Sequence, residues 1–362
     1  MLRLFLLLSI AFFTISPTIG QIPSSENLIV IVLDGMRWQE VFAGADSTLI
    51  DNPSFTRNKK RVRSRFWDED PKIRREKLFP FFWKTIAHSG QLYGNRWLQS
   101  NVNVHNPYQL TYPGFSEMLT GYVNPEITSN QLVINKSNNV LEMINREKGF
   151  EGKVALFATS DLFPFLMDKK NSKVYVNADS DSLLPDSPES RLLNEMQRLT
   201  AKPTTERPDL LTYFAAREYV KNYKPRVLYL ALGETDAFAH NGNYDQYLET
   251  ALAEDNMIKS FWTMVQSIPQ YKDKTTLLIT CDHGRGDMVK QQWTSHGPDI
   301  TGSGEIWIAA MGPLTKGYGE MKGHPGIHQE QLAATMAAVL GLSYKPVTHV
   351  AASPIKLIYS SK

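Results

Sequence analysis

The segment Leu28–Arg37 has the sequence LIVIVLDGMR, and it decides the fold class of the chain. Its first six residues are apolar and rich in β-branched side chains, which predicts a strand buried on both faces of a parallel sheet. Asp34 follows that strand directly, at the carboxyl end where open α/β sheets bind ligands. Gly35 allows close approach of the backbone there. Asp34 is therefore either a helix cap or a metal ligand.

Runs typical of strands alternate with runs typical of helices along the rest of the chain. Further strands are predicted at 154–158, 226–232, 275–281 and 305–311, and helices at 78–89, 209–223, 244–268 and 329–342. This alternation predicts an α/β fold, a three-layer α/β/α sandwich with a mostly parallel central sheet. We expect one domain over 21–362, with surface insertions near 44–78 and 169–207, where the sequence is polar and charged.

Composition and the N-terminal segment limit the classes of function. The net charge of +2 over 362 residues does not indicate a nucleic-acid-binding surface or an anionic membrane surface as partner. Arg3, the apolar run 4–15 and the small residues up to Gly20 are typical of a secretory signal peptide over 1–20. We therefore expect an exported protein, periplasmic or secreted, without a membrane span after signal removal.

Polar clusters follow two further predicted strands. Asp236 and His240 come after the run 226–232, and Asp282 and His283 come after the run 275–281. Carboxylate and imidazole groups at the mouth of a parallel sheet are the ligands that zinc takes. Because Asp236 and His240 are four residues apart, one helical turn places both on one face. Three clusters at three strand ends, with Asp34 the first, predict a metal site.

A further histidine is needed to complete these clusters, and three residues are candidates. His296 lies in the segment Thr294–Gly297, and His324 and His328 lie in the segment Gly323–His328. The residue types alone leave all three open.

The segment Asn106–Gly121 contains the candidate nucleophile. Pro113 suits the first turn of a helix and Gly121 suits its C-terminal end. Thr111 then lies at or just before the helix N-terminus, where free N–H groups favour an anion. Its hydroxyl is either an N-cap or a nucleophile that a neighbouring metal activates. Ser116 is the rival, one turn inside the helix.

Six ordered segments resemble the alkaline phosphatase superfamily, and within it the type I phosphodiesterase/nucleotide pyrophosphatase branch. They are VIVLDGMR (30–37), LTYPGFSEMLTG (110–121), LGETDAFAH (232–240), ITCDHGRGD (279–287), SHGPDITGSGEIWIAAMGP (295–313) and HQEQLAATMAAVLGL (328–342). The second resembles the family's nucleophile motif Thr-Phe-Pro-Asn-His, with Gly114 in place of the Asn. The fifth favours His296 over His324 and His328, because a strand that ends in Gly-Pro follows it.

The resemblance implies two divalent metal ions, zinc being usual in the family. It assigns Asp236, His240 and His296 to the first ion, and Asp34, Asp282, His283 and the Thr111 oxygen to the second. Thr111 would attack phosphorus and form a phospho-threonine intermediate. Asn130 is the nearest match to the family's phosphate-binding Asn. Arg37 and Arg285 are candidates for phosphate contacts, with a structural salt bridge as the alternative for each.

These observations together predict an exported, metal-dependent hydrolase that cleaves a small phosphorylated substrate, a phosphodiester or nucleotide pyrophosphate. A phosphomonoesterase is the first alternative, and a non-catalytic metal-binding protein with the same fold is the second. A sulfatase is disfavoured, because the formylglycine of those enzymes comes from Cys or Ser and the residue here is Thr111.

Overall fold

A computed structural model describes residues 25–183, 187–202 and 206–359. The predicted signal peptide, residues 1–20, lies outside these ranges. None of the helices within them combines the length and the apolar character that crossing a membrane requires.

Eleven strands occur in the described residues. They are β1 (Asn27–Leu33), β2 (Gln91–Tyr93), β3 (Asn101–Asn103), β4 (Val154–Ala158), β5 (Tyr175–Ala178), β6 (Val227–Leu232), β7 (Thr275–Thr280), β8 (Glu305–Ile306), β9 (Ile308–Met311), β10 (Gly319–Glu320) and β11 (Pro325–His328). Eight of them form one sheet in the order β10-β2-β9-β7-β1-β6-β4-β5, and β11, β3 and β8 form a second, small sheet.

The α-helices vary from one turn to six turns in length. They are α1 (Trp38–Ala43), α2 (Ser47–Asp51), α3 (Lys59–Phe66), α4 (Pro71–Leu78), α5 (Ala87–Ser89), α6 (Thr111–Thr120), α7 (Val140–Arg146), α8 (Phe163–Leu166), α9 (Pro188–Leu199), α10 (Asp209–Tyr223), α11 (Glu234–His240), α12 (Tyr244–Gln266), α13 (Gln331–Val339) and α14 (Lys356–Tyr359). A π-helical turn covers Phe82–Ile86, and 3₁₀ turns cover Arg96–Leu98 and Lys290–Thr294.

The large sheet is parallel except for β9, which runs antiparallel to both β2 and β7. The helices pack as two groups, one around α6, α7 and α13 and the other around α1, α4, α11 and α12. The fold is thus the predicted three-layer α/β/α sandwich with a mostly parallel central sheet. Strand β1 lies in the middle of the sheet and every one of its residues is buried, as its uninterrupted apolar sequence requires.

Two predicted elements differ from the observed ones. The single strand expected at 305–311 is divided at Trp307, so that β8 pairs in the small sheet and β9 in the large one. The Trp307 indole N–H donates to the Met36 carbonyl (2.9 Å), which anchors the chain where it changes sheets. The helix expected at 78–89 is irregular, because the Phe81 and Phe82 amides donate to the Asp255 carboxylate (2.8 and 2.9 Å).

The two charged segments expected as insertions contain ordered structure. Residues 44–78 form α2, α3 and α4, and Leu49, Ile50 and Phe66 from this segment are fully buried. Residues 169–207 contain β5, the edge strand of the large sheet, followed by α9.

Candidate active site

The carboxyl ends of three central strands lie level at one edge of the large sheet. In the register of β1, Leu33 is paired with Leu232 of β6, and Val32 is paired with Thr280 of β7. The residues that follow these strands are Asp34, the helix α11 and the pair Asp282–His283. Parallel pairing therefore brings together three clusters that are up to 249 residues apart in the numbering.

Asp236, His240 and His296 form the first group of candidate metal ligands. Asp236 and His240 are one turn apart on α11, and His240 Nε2 lies 3.1 Å from Asp236 Oδ2. His296 Nε2 lies 3.1 Å from His240 Nε2. The Gln109 carbonyl accepts a hydrogen bond from His296 Nδ1 (3.0 Å), which leaves the Nε2 lone pair directed at the group. Burial, together with the neighbouring His283, lowers the pKa of His296 to about 2, so its imidazole is neutral.

Asp34, Asp282, His283 and Thr111 surround a second point. His283 Nε2 lies 3.3 Å from Asp34 Oδ1, 3.4 Å from Asp282 Oδ2 and 3.3 Å from Thr111 Oγ1. The Gly284 carbonyl lies 3.0 Å from His283 Nδ1, so that nitrogen holds the proton and Nε2 faces the carboxylates. All four side chains are buried.

Two carboxylate oxygens at this second point are buried without a hydrogen-bond partner among the described residues, Asp34 Oδ1 and Asp282 Oδ2. Burial, reinforced by neighbouring carboxylates, raises the pKa of both groups well above the ordinary range. Buried polar atoms in native proteins are almost always paired. A divalent cation between these oxygens would supply the missing partner and return both carboxyls to the ionised form.

Asp236 belongs to both groups, which differs from the division made from the sequence. Its carboxylate joins His240 and His296 in one set of converging atoms, and Asp34 and His283 in another, with the atoms of each set within 4.8 Å of one another. Burial would raise the pKa of Asp236, but the Arg285 guanidinium, together with His240, His296 and His283, outweighs burial and holds that pKa well below the usual range. Arg285 is fully buried and donates to Asp236 Oδ1, so it contacts the carboxylate rather than the cavity.

Asp34 does not cap a helix, which decides one alternative left open by the sequence. Helix α1 begins at Trp38, and its N-cap residue is Arg37, whose side chain makes no capping bond. The Asp34 carboxylate instead faces His283 at the sheet edge.

Thr111 is the first residue of α6, and the helix ends at Gly121 in the left-handed conformation (φ 74°). Leu110 precedes it as the N-cap residue without a side-chain cap, and the Asn130 side chain accepts a hydrogen bond from the second N–H of this ten-residue helix, that of Tyr112. Thr111 is 8% exposed and borders the cavity described below. The rival Ser116 is 1% exposed, and its hydroxyl accepts a hydrogen bond from Asn135 Nδ2 (2.9 Å).

A cavity of about 530 Å³ opens above these groups. Asp34, Thr111, Asp236 and His240 are among the residues that line it. Asn130 also lines it, and its side-chain oxygen accepts a hydrogen bond from the Tyr112 amide (2.9 Å) at the start of α6. The amide nitrogen of Asn130 takes no part in that bond.

Three other candidates from the sequence lie elsewhere. Arg37 was a candidate for substrate binding, but it is fully buried and ion-paired to Glu40 (3.2 Å) and Asp287 (2.6 Å), so the structural salt bridge is the correct alternative. His324 immediately precedes β11, and His328 ends β11 with its ring 5.2 Å from that of His105. The structure thus brings His296 to the candidate metal ligands, and neither His324 nor His328.

No sequence motif points to Asp209, which holds the helix that carries two of the candidate ligands. Asp209 is fully buried, and its carboxylate accepts hydrogen bonds from the Gly233 amide (2.8 Å) and the Glu234 amide (2.9 Å). In return the Asp209 amide donates to Glu234 Oε2 (3.0 Å). This reciprocal pair of contacts fixes the N-terminus of α11 against the start of α10, and so sets the position of Asp236 and His240.

No family model and no curated protein matches the chain. Solved structures do match it. The alkaline phosphatase PafA covers 94% of this chain and 100% of its own, with a TM-score of 0.64 at 11% identity. The chain has the alkaline phosphatase-like fold. A 2-O GAG sulfatase matches with a TM-score of 0.60 at 12% identity, over 94% of this chain and 75% of its own. The phosphonate monoester hydrolase of Agrobacterium radiobacter matches with a TM-score of 0.55 at 14% identity, over 92% of this chain and 77% of its own.

These neighbours confirm the predicted fold, and they include a phosphatase, a sulfatase and a phosphonate hydrolase. An alkaline phosphatase-like fold therefore hosts more than one ester chemistry, and the activity of this chain has to be argued from its own residues.

Proposed function

We propose that this protein is a metal-dependent phosphodiester hydrolase that uses Thr111 as its nucleophile. The observation that carries the proposal is the position of the Thr111 hydroxyl, at the N-terminus of α6 and 3.3 Å from His283 Nε2. A hydroxyl at the start of a helix, beside converging carboxylates and imidazoles, is placed to attack an anionic phosphoryl group.

The ligand groups fit two divalent cations, and zinc suits their mixture of imidazole and carboxylate donors. Asp236, His240 and His296 would hold one ion. Asp34, Asp282, His283 and the Thr111 oxygen would hold the other, with Asp236 within reach of both. Asp34 Oδ1 and Asp282 Oδ2, which have no hydrogen-bond partner in the part of the chain that the structure describes, support the second assignment. When bound, such ions supply Lewis-acid stabilisation of the attacking and leaving oxygens.

The reaction then proceeds in two displacements at phosphorus. In the first, a bond forms between Thr111 Oγ1 and phosphorus while the bond to the leaving alcohol breaks. Thr111 loses its proton to solvent, and the departing oxygen takes one from solvent. In the second, water forms a bond to phosphorus, the bond to Thr111 Oγ1 breaks, and Thr111 regains its proton. The Asn130 amide would orient the phosphoryl group in both steps.

The charges around the cavity favour a diester over a monoester. A monoester dianion requires positive groups beyond the metal ions, and no Lys or Arg is among the described residues that line this cavity. A diester carries one negative charge fewer, and the cavity has room for a second ester group beside Thr111.

Thr111→Ala with Ser116→Ala as its matched control tests the proposal. We expect purified protein to contain about two zinc equivalents and to hydrolyse bis-p-nitrophenyl phosphate faster than p-nitrophenyl phosphate, with loss of activity in EDTA. Thr111→Ala should lower kcat by about 10³-fold or more, and Ser116→Ala by less than about threefold. Acid quenching of the wild type, followed by mass spectrometry, should locate a phosphoryl group on Thr111.

Three results would argue against the proposal. Wild-type hydrolysis by the Thr111→Ala variant, or binding of less than one zinc equivalent by the protein, would favour the alternative of a non-catalytic protein with the same fold. A hundredfold preference for p-nitrophenyl phosphate would favour the phosphomonoesterase.

We also propose that the protein is exported, on the basis of the apolar segment 4–15 that follows Arg3. Protein recovered outside the cytoplasm should have its N-terminus near Gln21, as determined by mass spectrometry. An intact Met1 on all of the protein would contradict export by signal cleavage.

A further inference from the structure

The segment that joins β3 to α6 contacts one of the candidate metal ligands through its backbone. This segment covers 104–110 and ends next to Thr111. Within it, the Gln109 carbonyl accepts the hydrogen bond from His296 Nδ1 (3.0 Å). Because a carbonyl oxygen can only accept, this contact requires the proton of His296 to lie on Nδ1 and leaves the Nε2 lone pair for a cation.

Gln109 has a backbone conformation that its surroundings have to hold in place. Its φ angle is 49°, in the left-handed region that glycine and asparagine adopt far more readily than glutamine does. Strain of this kind persists only where the surrounding structure over-determines it, and it is common at functional sites. The conformation of Gln109 sets the direction of the carbonyl that His296 contacts.

Asn106 supplies the restraint on Gln109. The Asn106 side-chain oxygen accepts hydrogen bonds from the Gln109 amide (2.8 Å) and the Tyr108 amide (3.1 Å), which closes a turn over these residues. Asn106 is 2% exposed, so water does not compete for these bonds. The turn that ends at Gln109 therefore depends on one buried side chain.

Glu117 of α6 fixes Asn106 in turn. The Glu117 carboxylate accepts hydrogen bonds from the Asn106 backbone amide and from Asn106 Nδ2, both at 2.8 Å. It also accepts the His105 amide (2.9 Å) and, from the residue before α13, the Glu330 amide (3.2 Å). Because Glu117 is fully buried and lies within a helix, it is a rigid anchor for the segment that leads to Gln109.

We infer that Asn106 and Glu117 are positioning residues, which fix the tautomer and the direction of His296 through the Gln109 carbonyl. The inference rests on the proposed function, in which His296 is a metal ligand. It adds that α6 serves both ions, because this helix carries Thr111 and also holds the ligand His296 of the other ion. Asn106 and Glu117 are not among the described residues that line the cavity, so we expect them to act without contacting substrate.

The test measures the zinc affinity of metal-free protein by competition with a chelator, so the result does not depend on turnover. Asn106→Ala removes the acceptor for the Gln109 amide, and we expect it to weaken zinc binding at the His296 site by about 10–100-fold. The matched control is Asn139→Ala, at another buried asparagine whose side-chain oxygen accepts a backbone amide, that of Glu142 (2.9 Å) at the start of α7. This control should lower stability and keep the wild-type zinc affinity.

A double variant separates positioning of His296 from a general loss of stability. His296→Ala identifies the zinc-binding step that involves His296. Because Asn106 acts through His296, adding Asn106→Ala to His296→Ala should not weaken zinc binding further. NMR of metal-free protein with isotopically labelled histidine should show His296 protonated on Nδ1 alone in the wild type, and a mixture of tautomers in Asn106→Ala.

A pair of variants at Gln109 keeps the inference testable if Asn106→Ala folds poorly. Gln109→Asn retains the carbonyl and a residue that adopts the left-handed conformation readily, so it should bind zinc as the wild type does. Gln109→Val places a β-branched residue there, for which positive φ is strongly disfavoured, and it should weaken zinc binding about as much as Asn106→Ala.

Wild-type zinc affinity in both Asn106→Ala and Gln109→Val, with diester hydrolysis intact, would overturn the positioning inference and leave the proposed function standing. Losses that add in the double variant would also overturn it, because Asn106 would then act independently of His296. The expected zinc losses in a protein that hydrolyses no phosphoric ester would keep the inference and refute the proposed function. A wild type that binds no zinc would overturn both.

Discussion

Gly114 allows helix α6, which begins at the candidate nucleophile, to pack directly on the backbone of a candidate metal ligand. It is the fourth residue of α6, and a Cβ atom at this position would lie 2.6 Å from the Asp282 carbonyl oxygen. That oxygen also accepts a hydrogen bond from Gln329 Nε2 (2.7 Å), which opposes its retreat. The replacement Gly114→Ala therefore has to separate α6 from the end of β7.

The size of the effect follows from that distance. Ordinary van der Waals contact begins at 3.4 Å, so a contact at 2.6 Å requires the two elements to part by about 0.8 Å. Overpacking of this kind costs about 1–3 kcal/mol of stability. Because α6 carries Thr111 and the end of β7 carries Asp282 and His283, the shift misaligns nucleophile and ligands. A misplacement of reacting groups near 1 Å can lower the reaction rate about 10²-fold, so we expect kcat/KM to fall roughly 10–100-fold.

Gly326→Ala is the matched control, because a Cβ at Gly326 would have no neighbour within 4 Å and its φ angle is ordinary. Thermal unfolding and hydrolysis of bis-p-nitrophenyl phosphate should be measured for both variants. The control should keep wild-type values, and Gly114→Ala should lose both stability and activity. A Gly114→Ala variant with unchanged Tm and kcat/KM would refute the packing argument.

Two further predictions concern charged groups. Arg37→Met should destabilise the fold by about 3–5 kcal/mol in urea unfolding, because it leaves the buried Glu40 carboxylate without its ion pair, while KM per folded molecule stays unchanged. A raised KM with normal stability would instead support a substrate contact. The pKa of Glu206 rises from 4.5 to about 7 on folding, so the folded state binds more protons in that window and loses stability as the pH rises through it. Glu206→Gln should therefore flatten the fall in unfolding free energy between pH 4.5 and 7, and a slope identical to the wild type would contradict this.

The local sequence pattern was sufficient to predict an element when its neighbours impose the same requirement on every residue. The run Leu28–Leu33 is apolar throughout because β1 is covered on both faces, and a strand with that environment cannot alternate. Helix α6 could be bounded from Thr111 to Gly121 because its start and end depend on local backbone chemistry.

The sequence misjudged Arg37, although that residue is close to Asp34 in the chain. Gly35 adopts a left-handed conformation (φ 59°) in the turn between β1 and α1. The Arg37 amide then donates to the Tyr247 hydroxyl (3.0 Å), and its guanidinium lies among buried acidic groups. Proximity in sequence to a metal ligand therefore did not predict proximity in space.

The sequence by itself determined the sheet, the helix that begins at Thr111 and the residue types of the candidate metal ligands, because each depends on local periodicity and chemistry. Only the tertiary structure decided that His296 lies with Asp236 and His240, that Asp236 reaches both candidate ligand groups and that Asp161 and Glu206 border the cavity. These last residues come from loops whose course depends on the packing of α10 and α11 on the sheet, and no periodic pattern in the chain encodes that packing.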